Sequence, residues 1–120
     1  MERTVLLVDD DASFRGTVRA ALEEQGVTVK EVADGEEAIE EVERALPHLM
    51  LLDLLMPKRD GYAVLHFLRE HSIEVPVVIL SGLSDSLDRE KCKKLGARAY
   101  IVKGDIDVEE LWPMVQKYLS

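Results

Sequence analysis

Val5-Leu6-Leu7-Val8-Asp9-Asp10-Asp11 decides the reading of this chain: a short apolar run that ends in three adjacent carboxylates. The run reads as a buried strand. Its acidic end concentrates negative charge where a parallel sheet opens to solvent. Like charges at that spacing repel and are costly to desolvate, so a positive partner is expected nearby. A hard divalent cation such as Mg²⁺, which prefers oxygen ligands, fits that need. The competing reading is a helix start, with Asp11 or Ser13 as N-cap and a second acid favoured by the helix dipole. What separates the two is Asp53, a second carboxylate in the same context, at the end of Leu49-Met50-Leu51-Leu52.

Outward from that run, apolar stretches and helical patterns alternate to the end of the chain. A helix carrying Phe14, Val18, Ala21 and Leu22 on one face follows the first strand and closes at Gly26. The weaker alternation of Val27–Ala33 suits a strand nearer the sheet edge. Asp34-Gly35 turns into a helix with Ala38, Ile39, Val42 and Leu46 as its inner stripe and Pro47 as its stop. Leu49–Leu52 is continuously apolar, as a central parallel strand covered on both faces requires. A polar loop with Pro57, Asp60 and Gly61 leads into a helix over Ala63–Glu70. Pro76 introduces a fourth strand, Val77–Leu80. A helix within Ser86–Leu95 ends at Gly96, and Tyr100-Ile101-Val102 makes the fifth strand. The last helix begins after Asp107, whose spacing to Glu110 is that of a capping box. Val108, Leu111, Val115 and Leu119 form its inner stripe, and Pro113 should kink it.

Five strands alternating with five helices predict an α/β fold: a doubly wound, five-stranded parallel sheet with right-handed crossovers. Ligands of such sheets bind beyond the carboxyl ends of the strands, at the switch in strand order.

Composition bounds the function. The chain has 120 residues, enough for one domain over 1–120 with a core of its own, and is 47% apolar and 32% charged. No apolar stretch is long enough to span a bilayer and no signal peptide precedes the first strand, so a cytoplasmic location is expected. A net charge of −9 argues against direct contact with nucleic acid or an anionic membrane. The single cysteine, Cys92, allows no internal disulfide and reads as a small buried residue on a helix.

The strand ends carry the chemistry. Strand one ends at Asp9-Asp10, strand three at Asp53, strand four at Ser81 and strand five at Lys103. Any one of these is an ordinary polar strand end; together they assemble what phosphoryl transfer wants. Asp53 can act as a carboxylate nucleophile and form an acyl phosphate. Mg²⁺ held by Asp9, Asp10 and Asp53 would offset the charge of the phosphoryl oxygens. Lys103 adds a second positive charge, and Ser81 a hydrogen-bond donor. No separate general base is needed, because the attacking carboxylate is already ionised at neutral pH.

Four ordered stretches carry a family likeness: Val5–Asp11, Leu52–Gly61, Pro76–Ser81 and Gly96–Lys103. Together they resemble the receiver domain of two-component response regulators, of the flavodoxin-like fold with strand order 2-1-3-4-5, over essentially the whole chain. The resemblance implies that Asp53 accepts a phosphoryl group from a sensor histidine kinase or a histidine phosphotransfer protein. It implies that Asp9 and Asp10 hold Mg²⁺, with the backbone carbonyl of Leu55 completing the protein ligands. Ser81 would bind the phosphate and move on activation, Lys103 would pair with the phosphoryl group, and Tyr100 would switch between exposed and buried rotamers. Signalling would leave through the face of helix four, strand five and helix five, toward a downstream protein or a fused output domain. Homodimerisation through the last helices is compatible with this.

Two departures from the family pattern stand out. Gly104 follows the lysine where receivers usually carry proline, often across a cis bond. A cis bond costs roughly 2.5–4 kcal/mol before a non-proline residue, so a trans or rearranged turn is expected. Leu55 and Leu83, two residues past Asp53 and Ser81, stand where many relatives have polar side chains that help position water. Two leucines there would shield the acyl phosphate and give a long-lived phosphorylated form.

Other residues read more plainly. His48, His66 and His71 lie away from the rim. Trp112 sits on the apolar arc of the last helix, and Arg89, Lys91, Lys93 and Lys94 make a solvated helix face. The leading function is a phosphorylation-dependent switch that catalyses only its own phosphorylation and dephosphorylation. The alternative is a Mg²⁺-dependent phosphohydrolase passing through an aspartyl phosphate. Such an enzyme wants a second acid where Leu55 stands. A flavodoxin-like electron carrier would need a Ser/Thr/Gly-rich loop in place of Asp9-Asp10-Asp11-Ala12.

Overall fold

The apolar runs form five parallel strands: β1 (Thr4–Val8), β2 (Thr28–Val32), β3 (Leu49–Leu52), β4 (Val77–Ser81) and β5 (Ala99–Val102). Their order is β2-β1-β3-β4-β5. The intervening helices are α1 (Ala12–Glu23), α2 (Gly35–Arg44), α3 (Gly61–Glu70), α4 (Ser86–Lys94) and α5 (Leu111–Val115). The structure, a computed structural model, describes residues 2–119. The doubly wound sheet expected from the sequence is the one observed.

Alternation along the strands splits the core between the two faces of the sheet. Val5 and Leu7, Leu49 and Leu51, Val78 and Leu80, and Ile101 pack with Val18 and Leu22 of α1 and Leu111 and Val115 of α5. Leu6 and Val8, Met50 and Leu52, and Val77 and Ile79 pack with Ala38 and Val42 of α2, Val64, Leu65 and Leu68 of α3, and Cys92 of α4. Each such aliphatic side chain contributes about 1.5–3 kcal/mol when fully buried. By that measure α3, which buries Val64, Leu65 and Leu68, is firmly held, whereas α4 buries only Cys92. Burial also pushes the Cys92 thiol up to about 11, so it is packing material and not a nucleophile.

Asp side chains start the helices. Asp11 accepts from the Phe14 N–H, Asp34 from Glu37, Asp60 from Ala63 and Asp85 from Leu87. Two expectations about helices fail. Leu46 is not on the inner stripe of α2: the helix ends at Arg44, Ala45 is extended, and Leu46 is 56% exposed. The chain leaves the helix ahead of Pro47 before Leu46 can turn inward.

The last helix is not one kinked rod. It is a 3₁₀ turn over Val108–Glu110 with the Asp107–Glu110 capping box, then α5, then a 3₁₀ segment over Gln116–Leu119. Starting the α-helix at Leu111 puts Pro113 in the first turn, where its missing N–H needs no intrahelical partner. Trp112 is half-buried and packs against the core beside α1.

Candidate functional site

Strand register brings the site together. Val8 lies opposite Leu52, so Asp9 and Asp53 leave neighbouring strands at the same level, on the two sides of the switch in strand order. Ser81 lies opposite Val102, which puts Lys103 one residue further on. Parity then sorts the side chains. Asp9, Asp53 and Lys103 continue the α1/α5 side of their strands, while Ser81 and Tyr100 belong to the other side.

On the first side, Lys103 Nζ lies 2.7 Å from Asp9 Oδ2 and 3.3 Å from Asp53 Oδ2. The two carboxylates are 1% and 6% exposed, so water does little to screen them. Asp9 Oδ1 accepts from the Asp11 N–H at 2.9 Å, and Asp53 Oδ1 from the Leu54 N–H at 2.8 Å. Asp10 is exposed, yet one oxygen from each of Asp9, Asp10 and Asp53 falls within 4.8 Å of the others. Three carboxylates against one ammonium leave two negative charges, which one divalent cation would balance. The all-oxygen donor set suits Mg²⁺ over softer metals. Leu55 begins the loop beyond Asp53-Leu54.

The electrostatics follow. Burial pushes the Asp53 carboxyl above its ordinary value of 3.8, the Lys103 charge pulls it back, and the Asp9 charge raises it again; the net shift is upward. Burial alone would lower Lys103, but its bond to Asp9 and the charges of Asp53 and Asp9 outweigh that and hold it above its usual value.

A stability prediction comes from the sign of the Asp53 shift. The folded chain holds this proton more tightly than the unfolded chain. The ionised group therefore costs stability at neutral pH, and that cost fades as pH falls through the folded value toward 3.8. In EDTA, Asp53→Asn is expected to unfold at higher urea than the wild type at pH 7, with the gap closing as the pH is lowered. A gap that widens on acidification would contradict this assignment.

On the second side, Ser81 is 1% exposed and its Oγ accepts from the Leu83 N–H at 3.2 Å. The Tyr100 hydroxyl donates to the Leu83 carbonyl at 2.8 Å, and the Arg89 guanidinium lies 5.0 Å above the Tyr100 ring. Ser81 and Tyr100 are thus joined through the backbone of one residue, in the loop that leads into the weakly anchored α4. The Tyr62 hydroxyl donates to Asp88 and ties α4 to α3.

The shielding role expected of Leu55 is not what the structure shows: its side chain is 62% exposed and stands in solvent, while Leu83 is half-buried. The peptide bonds of the described residues are all trans, and Lys103–Asp105 forms a 3₁₀ turn, as the Gly104 substitution leads one to expect. The histidines lie elsewhere. His48 bonds Thr4 at the far end of β1, His71 caps α3 through the Phe67 carbonyl, and His66 is exposed.

Sequence reasoning missed three contributors. Arg15 Nη1 donates to the Asp9 carbonyl at 2.5 Å while its Nε holds Glu31 at 2.9 Å. Gly35 N–H donates to the Arg59 carbonyl and Gly61 N–H to the Leu54 carbonyl, both at 2.9 Å. These bonds pin both ends of the loop that follows Asp53. A Cβ on Gly61 would lie 2.4 Å from the Asp53 carbonyl oxygen, and one on Gly35 2.1 Å from that of Arg59. The available signal is the glycine directly after two of the four helix-capping aspartates, Asp34 and Asp60, a poor choice for a helix unless space demands it.

Comparison with known proteins gives a consistent picture. Residues 5–116 match the family described as response regulator receiver domain. The chain is 46% identical over 99 residues to the "Probable transcriptional regulator ycf27" of Porphyridium aerugineum, covering 82% of this chain and 41% of that protein. It is 40% identical over 109 residues to the gliding motility regulatory protein of Myxococcus xanthus, covering 89% of this chain and 14% of that one. The chain thus spans well under half the length of these relatives. Among solved structures, the receiver domain of Francisella response regulator 1452 superposes with a TM-score of 0.91 at 29% identity, covering 98% of this chain and 97% of that one. The chemotaxis protein CheY4 of Vibrio cholerae gives 0.89 at 28% identity, covering 99% and 100%.

Proposed function

The chain belongs to the response regulator receiver domain family, and from that premise we propose that it is a phosphorylation-dependent switch with Asp53 as its phosphoacceptor. The observation that carries this reading is the placement of Lys103 Nζ between the buried carboxylates of Asp9 and Asp53, with Asp10 close enough to complete a metal cluster. The donor is a sensor histidine kinase or a histidine phosphotransfer protein. An Asp53 oxygen forms a bond to phosphorus as the phosphorus–nitrogen bond of the donor breaks, and the released imidazole takes a proton from water.

Asp9, Asp10 and Asp53, with the Leu55 carbonyl, would hold Mg²⁺, whose charge offsets that of the phosphoryl oxygens when bound. Lys103 moves from bridging two carboxylates to pairing with the phosphoryl group. The Ser81 hydroxyl accepts from Leu83 N–H and keeps its own hydrogen to donate to a phosphoryl oxygen. That donation pulls on the Leu83 segment to which the Tyr100 hydroxyl is bonded, and so reaches α4, β5 and α5. The output is a changed surface for a downstream protein or a fused output domain, with no external substrate turned over. With a net charge of −9 the chain offers no electrostatic attraction to nucleic acid. Among the described residues no helix is long and apolar enough to cross a membrane.

The test is intact mass after incubation with acetyl phosphate and Mg²⁺. The wild type should gain one phosphoryl group and lose the gain in EDTA, and Asp53→Asn should stay unmodified. Equal labelling of the variant would refute the assignment.

A further inference from the structure

Lys103 is followed by Gly104 and Asp105, both exposed, in a short 3₁₀ turn. Glycine costs more entropy to order than any other residue, and a Cβ placed on Gly104 would meet nothing within 4 Å. The backbone beyond the lysine is therefore not packed into place, and the aim of the ammonium must be set elsewhere. One side is set by the Asp9 and Asp53 oxygens, the other by Phe14: Lys103 Nζ lies 4.4 Å from the centre of its ring. Phe14 itself packs against the core on the α1/α5 side. Phe14, Lys103 and five aliphatic residues, Ile106 and Leu111 among them, line a cavity of about 20 Å³. That is room for one water at most, and the walls offer it no set of polar partners. The ring face is thus the ammonium's neighbour on that side.

The contact closes a circuit. Asp9 Oδ1 accepts from the Asp11 N–H at 2.9 Å, and Asp11 Oδ1 accepts from the Phe14 N–H at 3.1 Å. The Phe14 ring faces Lys103 Nζ, and Lys103 Nζ returns to Asp9 Oδ2 at 2.7 Å. The third acid of the run thereby gains a purpose beyond capping α1: it fixes the ring relative to the carboxylate that the lysine shares.

From this circuit we propose that Phe14 is a positioning residue for phosphoryl transfer, holding the Lys103 ammonium between Asp9 and Asp53 by a cation–π contact. The inference rests on the reading of Asp53 as phosphoacceptor. Phe14 touches neither the phosphoryl group nor the metal cluster and acts through Lys103 alone. A ring face attracts a cation over a broad area, so the ammonium can slide from Asp9 toward a phosphoryl group on Asp53 without returning to water.

The experiment compares wild type, Phe14→Leu and Phe14→Tyr in two measurements: the rate of phosphorylation by acetyl phosphate with Mg²⁺, and the proton NMR shift of the Lys103 methylene next to the ammonium. Leucine keeps an apolar side chain but removes the ring. Phe14→Leu should be phosphorylated about three- to tenfold more slowly, the size of a partly desolvated cation–π contact. It should also lose the upfield ring-current shift. Phe14→Tyr should restore both. The inference is overturned if Phe14→Leu keeps the wild-type rate, if it slows while the Lys103 shift is unchanged, or if Phe14→Tyr keeps the shift but not the rate. A wild type that takes up no phosphoryl group would instead remove the phosphoacceptor reading beneath it.

Discussion

Gly61→Ala is expected to destabilise the chain by about 3 kcal/mol and to cripple phosphorylation of Asp53 at the same time. Gly61 is the first residue of α3, and its backbone runs against the end of β3. An added methyl carbon would meet the Asp53 carbonyl oxygen at 2.4 Å, the Leu54 Cα at 2.8 Å and the Leu54 side chain at 2.9 Å. Two of the three are backbone atoms of Asp53 and Leu54, which no side-chain rotation can move aside. Either α3 retreats and gives up the Gly61–Leu54 hydrogen bond, or Asp53 is displaced from Lys103. The constraint is one of space, since the backbone of Gly61 lies outside the left-handed region. Gly16 is the control: it stands in α1 with nothing within 4 Å of its missing Cβ. Gly16→Ala should be neutral or gain up to about 1 kcal/mol. Urea unfolding of both variants checks the contrast, and a Gly61→Ala midpoint equal to that of the wild type would show that the loop yields freely.

Lys103→Met is the second large effect. Methionine keeps an apolar stem of similar length but removes the one cation that, among the described residues, lies within 4 Å of both Asp9 and Asp53, whose side chains are 2% and 8% exposed. Breaking a buried ion pair from one side leaves a charge that neither water nor a partner stabilises. In EDTA at neutral pH the loss should be on the order of 3 kcal/mol. Two recoveries are expected. Acidification should narrow the gap to wild type, because Asp53 takes up a proton more readily than an ordinary carboxylate and without Lys103 does so more readily still. Mg²⁺ should stabilise the variant more than the wild type, because the cation then replaces the missing ammonium. Phosphorylation should nonetheless fall about a hundredfold, the scale of losing one preorganised charge-stabilising donor. Equal stability of variant and wild type in EDTA would mean that the two acids are not held as a charged pair.

How much of this was legible in the sequence depended on distance along the chain. Strand positions and the residues at their ends could be read, because a buried parallel strand is apolar throughout and its polar end is abrupt. Alternation in the strands even separates Asp9, Asp53 and Lys103 from Ser81 and Tyr100. The helix ends were harder. Leu46 fits the helical stripe of α2 by period, but the approach to Pro47 takes it out of the helix. Pro113 would kink an α-helix that starts at Val108; the start at Leu111 makes the proline compatible. Contacts between a helix and the sheet it docks on leave no trace in the hydrophobic period. Phe14 under Lys103, Arg15 on the Asp9 carbonyl and Gly61 against Asp53 are set by how helices dock on the sheet, which no periodicity encodes. Leu55 shows the converse, since a leucine near a buried carboxylate reads as cover but stands out in solvent.

The central claim, that Asp53 and no other group takes the phosphoryl, is tested most directly by trapping the acyl phosphate. Protein phosphorylated by acetyl phosphate in Mg²⁺ is treated with borohydride, which reduces an aspartyl phosphate to homoserine, and the peptides are sequenced by mass spectrometry. Homoserine at position 53, and nowhere else, is the predicted result. Homoserine at position 9 or 10, or a label that survives on a histidine with position 53 intact, would contradict the account.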